Sequence, residues 1–193
     1  GEKTWEKAES HMIKQCFSVA CDKGKIAPSA LDYIFAGDLL NQCVSSAFAM
    51  KDSHVPYFGL YGACSTMAES LSLAAMTIDG GYANTVCALT GSHFCSAERQ
   101  YRFPLEYGGQ RPPTAQWTVT GAGAVILGSS GQGMKITHVT TGSINDAGIN
   151  DANNMGSAMA PAAYETIMQS CQATIDYDCL LYTSPSPRDR TRS

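Results

Sequence analysis

Apolar residues recur at helical spacing from the start of the chain. Trp5, Ala8, Met12, Cys16 and Val19 form a stripe that Ile13, Phe17 and Ala20 widen. That period predicts an amphipathic helix over 4–22, stopped by Lys23-Gly24-Lys25 and followed by a turn at Ala27-Pro28-Ser29. The continuous apolar run at 31–36 predicts a short strand, and Gly37-Asp38-Leu39-Leu40-Asn41 then leads into a second helix ending near Met50. Residues 55–61 predict a buried strand, 65–79 a long helix closed by Gly80-Gly81, and 85–90 another strand. Helices alternating with short, fully apolar strands point to an α/β protein with a parallel sheet covered on both faces.

Residues 91–116 break this rhythm. A polar insertion of that length between core elements predicts a functional loop. Strands resume over 117–127, and the Gly/Ser turn at 128–133 predicts a hairpin with 134–141. An Asx-rich loop spans 145–154, a helix 160–173, and the start of a further strand 177–182. From 183 onward, Ser and Pro alternate with Arg and no apolar period survives.

Composition narrows the function classes. The chain has 193 residues, enough for one good core; 44% are apolar and 16% charged, as in ordinary globular α/β proteins. The longest apolar stretches fall far short of a membrane span, and no signal-peptide pattern opens the chain, so the sequence reads as soluble and intracellular. A net charge of -4, with no basic stripe interleaved with aromatics, argues against a nucleic-acid partner. The eight cysteines are scattered, without a C-x-x-C pair, and most are expected to be small buried hydrophobes. His93 with Cys95 is too little for a zinc site, and the Asx cluster of Asp146, Asn150, Asp151, Asn153 and Asn154 lacks calcium-loop spacing, so no metal and no cofactor is expected.

Candidate chemistry gathers at four places. Cys64 lies in Tyr-Gly-Ala-Cys-Ser-Thr (61–66), between the predicted strand and the long helix. There the unpaired N–H groups and positive end of the helix would favour thiolate, as a nucleophile requires; a buried thiol would serve the same position as packing. The N–H groups at Cys64, Ser65 and Thr66 would suit a carboxylate. His93 follows a strand end, where ligand pockets of α/β folds open, or else caps a turn. Arg99 and Arg102, three apart beside Glu98, share a face if the segment is helical; they are either a salt-bridged surface or carboxylate forks. Gly121-Ala-Gly123 is too short for a dinucleotide fingerprint and fits close backbone packing in a strand.

The strand, the Gly-Ala-Cys-Ser-Thr turn and the Ala-rich helix resemble the first half of the thiolase and ketoacyl-synthase superfamily. Six strings narrow this: Ala36-Gly-Asp-Leu-Leu-Asn-Gln42, Phe58-Gly-Leu-Tyr-Gly-Ala-Cys-Ser-Thr66, Ser96-Ala-Glu-Arg-Gln-Tyr-Arg-Phe-Pro104, Glu106-Tyr-Gly-Gly-Gln110, Thr118-Val-Thr-Gly-Ala-Gly-Ala124 and Asn154-Met-Gly-Ser-Ala-Met-Ala-Pro-Ala-Ala163. In this order they resemble the stage V sporulation protein AD family of endospore-forming bacteria. The resemblance implies a thiolase-like α/β/α layered fold with a mixed sheet, the Cys64 helix buried between layers. It also implies that residues 1–180 are the N-terminal half of an internally duplicated protein. Residues 181–193 resemble translated sequencing-adapter read-through and are expected to be a non-native tail.

Functionally, the resemblance implies binding of dipicolinic acid, also as its calcium chelate, for uptake into the developing spore. The site would comprise Cys64, Ser65, Thr66, His93, Arg99 and Arg102, the arginines suiting a planar dianion with two carboxylates. It implies partners among the other stage V sporulation A operon proteins, a position peripheral to the spore inner membrane, and a homodimer paired through the strand region near 84–90. The alternative is an acyltransferase of thiolase or ketoacyl-synthase type with Cys64 as nucleophile.

Overall fold

A computed structural model describes residues 1–101, 118–151 and 154–173. The expected strand at 177–182 and the tail at 181–193 lie outside them. The chain divides into two units, 1–137 and 138–193.

The first unit opens with α1 (Trp5–Gly24). Thr4 accepts the Lys7 N–H at its start, and Lys25, in the left-handed conformation, closes it onto the Cys21 and Asp22 carbonyls. Its buried seam is Glu9, Ile13, Phe17 and Cys21, spaced by four, whereas Trp5 and Val19 are exposed. The seam is rotated from the predicted stripe because one buried position is a carboxylate, which hydropathy marks as surface.

Four strands follow, β1 (Tyr33–Gly37), β2 (Tyr57–Gly59), β3 (Thr85–Ser92) and β4 (Gly121–Gly128), with α2 (Val44–Met50), α3 (Thr66–Asp79) and α4 (Phe94–Tyr101) between them. The sheet order is β2-β1-β3-β4. The first three strands are parallel and β4 runs antiparallel to β3, so the sheet is mixed. Alternation along the strands builds two apolar layers. Ile34, Ala36, Cys87, Leu89, Ala122, Ala124 and Ile126 pack with Ile13, Phe17 and Cys21 of α1 and Ala49 and Met50 of α2. Tyr33, Phe35, Val86 and Leu127 pack with Leu73, Ala74 and Ile78 of α3. The result is a layered α/β/α fold.

Several expectations change. The strand predicted over 55–61 shrinks to three residues at a sheet edge, with Phe58 half exposed and stacked on Phe35. The loop over 91–116 contains α4. No strand forms over 134–141: Met134 and Ile136 are exposed, and without a buried face nothing fixes a register. β3 is hydrogen-bonded on both edges, so the strand region near 84–90 offers no edge to a second chain. The outer strands among the described residues are β2 and β4.

In the second unit the described residues form α5 (Met155–Ala173), longer than the predicted 160–173 and containing Pro161, whose missing N–H removes one rung. Asp146 accepts the Gly148 N–H in an Asx turn, an ordinary loop use of that cluster. Among the described residues no helix is long and apolar enough to cross a membrane.

Candidate functional site

The carboxyl ends of β1, β2 and β3 converge because the three strands are parallel and in register. Ala36 pairs with Gly59, and Gly37 with Thr90. The chain leaves β1 into Asp38, β2 into the Cys64 turn and β3 into His93, so three chemically distinct segments open on one end of the sheet. Thr90 Oγ1 donates to the Gly37 carbonyl at 3.2 Å, tying two of them together.

Cys64 lies in a 3-10 turn (Ala63–Ser65) that runs directly into α3, with Ala63 at φ 49° before it. Its thiol is exposed, whereas Cys21, Cys43, Cys87 and Cys171 are buried and Cys16 and Cys95 half-buried; all seven are free. Burial pushes the Cys87 thiol up to about 12, and burial also raises Cys16, Cys21 and Cys43. Burial thus disfavours the thiolate at these four, and exposure distinguishes Cys64 among the described cysteines. α3 lies against one face of the sheet, with Thr66, Ser70 and Ala74 buried.

The turn uses much of its own polarity. The Ser65 N–H donates to the Gly62 carbonyl and the Thr66 N–H to that of Ala63. The Ser65 hydroxyl donates to Gly62 at 2.7 Å and that of Thr66 to Ala63 at 2.9 Å. Those two amides, assigned from sequence to a ligand carboxylate, are engaged in shaping the turn.

His93 caps α4. Its Nδ1 accepts the Cys95 N–H at 3.2 Å and its carbonyl accepts the Ala97 N–H. Nδ1 as acceptor leaves the proton of the neutral ring on Nε2. Ser96 Oγ donates to Glu9 of α1 and also lies 3.0 Å from the His93 carbonyl.

Arg99 is engaged by α1. Its guanidinium pairs with Glu6 and lies over the Trp5 ring at 5.6 Å, fastening α4 to the first turns of α1. Buried Glu98 accepts from the Thr118 hydroxyl at 2.9 Å. Arg102 lies outside the described residues. Cys64, Ser65, Thr66 and His93 therefore sit on segments leaving the same end of the sheet, and Arg99 is committed to α1.

The residue that sequence reasoning missed is Asp38. It is 1% exposed and accepts from Leu40 N (2.8 Å), Ser46 N (2.7 Å) and Ser46 Oγ (2.7 Å). Ser46 Oγ also meets Tyr57 OH at 2.9 Å. Burial, with smaller contributions from Cys43 and Asp38, pushes the Tyr57 phenol up to about 12. An acid directly after an apolar strand and a glycine was the available signal.

Comparison with known proteins adds to this geometry. The family model of stage V sporulation protein AD matches residues 1–182. The chain is 42% identical over 184 residues to stage V sporulation protein AD of Bacillus subtilis (strain 168), covering 93% of this chain and 54% of that protein. It thus spans about half that relative's length. Among solved structures it is similar to β-ketoacyl-[acyl carrier protein] synthase III of Thermus thermophilus, with a TM-score of 0.53 and 12% identity over 77% of this chain and 44% of the other. It is also similar to the acyltransferase ChlB3, with a TM-score of 0.52 and 17% identity over 68% and 38%. At such identities the likeness concerns the fold.

Proposed function

The chain belongs to the stage V sporulation protein AD family, and from that premise we propose that it binds dipicolinic acid for uptake into the developing spore. What supports the reading is the convergence of the Cys64 turn and His93 at the carboxyl ends of the three parallel strands, where ligands of α/β folds bind. The reading takes Cys64, Ser65 and Thr66 as the pocket floor and His93 Nε2–H as a donor to one carboxylate. With Arg99 committed to Glu6 and Trp5, the fork for a carboxylate is assigned to Arg102. Titration calorimetry with dipicolinate, alone and with equimolar calcium, tests this. Binding heat at millimolar ligand or below is expected, and its absence under both conditions would overturn the reading.

The proposal extends to partners. The protein would work beside the other stage V sporulation A operon proteins, peripheral to the spore inner membrane. It would pair as a homodimer through β2, the short outer strand that carries exposed Phe58 and is followed by exposed Tyr61. An edge strand meeting its own copy across a two-fold axis pairs antiparallel and buries these rings. Sedimentation velocity should show a dimer that Phe58→Asp converts to monomer. A dimer unaffected by that change would place the contact elsewhere.

A further inference from the structure

The segment between β1 and α2 carries unusual backbone. Gln42 and Cys43 are consecutive non-glycine residues with φ of 60° and 53°. Such conformations persist only where the surroundings over-determine them. Here Asp38 does so, accepting from Leu40 N before the pair and from Ser46 N and Oγ after it. The consequence is a direction: the Cys43 thiol turns onto the end of β2 and donates to the Leu60 carbonyl at 2.9 Å.

Leu60 stands four residues before Cys64, and its own N–H is already bonded to the Ala36 carbonyl. With both backbone groups fixed, the peptide leaving β2 has one exit direction into the Gly62–Ser65 turn. We propose that Cys43 is a positioning residue for Cys64, its S–H bond to Leu60, enforced by Asp38, setting the turn that carries the exposed thiol. This rests on the reading of that turn as the pocket floor and assigns it a support from the neighbouring loop.

The test follows the turn, not the ligand. Hydrogen exchange of peptides covering 61–66, and the rate of Cys64 alkylation by iodoacetamide quantified by peptide mass, are measured for Cys43→Ala and Cys43→Ser. Loss of one net hydrogen bond should raise both about fivefold in Cys43→Ala. Cys43→Ser keeps a donor and should return both to within about twofold of the parent. Peptides from β1 and β3 should exchange at parental rates, which separates positioning from general loosening. Unchanged exchange and alkylation in Cys43→Ala, or an equal rise across β1 and β3, would overturn the proposal. Should Cys43→Ala fail to fold, Ser46→Ala, which removes one donor to Asp38, is judged by the same outcomes. Neither readout uses dipicolinate, so a failed titration and a failed positioning test remain distinguishable.

Discussion

Gly37→Ala is expected to lower stability by about 3 kcal/mol or to prevent folding. Gly37 is the last residue of β1, in register with Thr90. A methyl there would overlap the Leu60 carbonyl oxygen and lie 2.7 Å from Thr66 Cγ2. Neither neighbour can give way cheaply. Leu60 is bonded through its N–H to Ala36 and through its carbonyl to Cys43, and Thr66 is 1% exposed with its hydroxyl bonded to Ala63. The close approach of β1 to the Cys64 turn is therefore possible only without a side chain, the familiar role of glycine where two backbones meet. Gly123→Ala is the control. That glycine lies in β4 with open space where a Cβ would stand, so the change should stay within about 0.5 kcal/mol. Urea unfolding of both variants checks the contrast; a Gly37→Ala protein as stable as the parent would show that the turn can move away from β1.

The same contact explains what the sequence could and could not disclose. Periodicity located α1, α3, β1, β3 and β4 to within a few residues, since each buries a face whose spacing is written locally. It missed α4, whose eight residues carry charged side chains at buried or bridging positions. It also enlarged β2, because an apolar run of seven looks the same whether it lies inside a sheet or turns away after three residues. At the candidate site, the position of Cys64 before a helix was legible from local signals. The spending of the Ser65 and Thr66 amides in a 3-10 turn was not. Arg99 shows the limit most clearly: the charge pattern around it left a salt-bridged surface and a carboxylate fork both open, and its partners Trp5 and Glu6 lie more than ninety residues earlier, beyond the reach of local signals. Asp38 and Cys43 are of the same kind, their roles set by atoms from other elements.

Stability should fall as pH rises from about 4.5 to about 7, and Glu9→Gln should abolish that part of the slope. Glu9 is fully buried in α1, with Oε2 accepting from Ser96 Oγ at 2.5 Å. Burial, reinforced by the nearby charge of Asp38, pushes its carboxyl from an ordinary 4.5 up to about 7; the hydrogen bond from Ser96 pulls the other way and loses. A raised carboxyl means the folded state binds more protons than the unfolded state between those two values, so unfolding free energy decreases with pH across that window and levels off above it. At about 1.4 kcal/mol per pH unit the penalty has an upper bound of about 3.5 kcal/mol, which relaxation around the buried charge brings toward about 2 kcal/mol. Glutamine has nearly the same shape and no charge to bury. Glu9→Gln should therefore match the parent near pH 4.5 and exceed it by about 2 kcal/mol at pH 8. Urea titrations of both proteins at pH 4.5, 6, 7 and 8 isolate Glu9 in the difference between the curves, because every other titrating group is shared. A flat difference would mean Glu9 stays ionised throughout and gains enough from Ser96 to offset its burial. The expected outcome would instead make the α1–α4 contact strongest in the acid form, loosening the helix that His93 caps as pH passes neutrality.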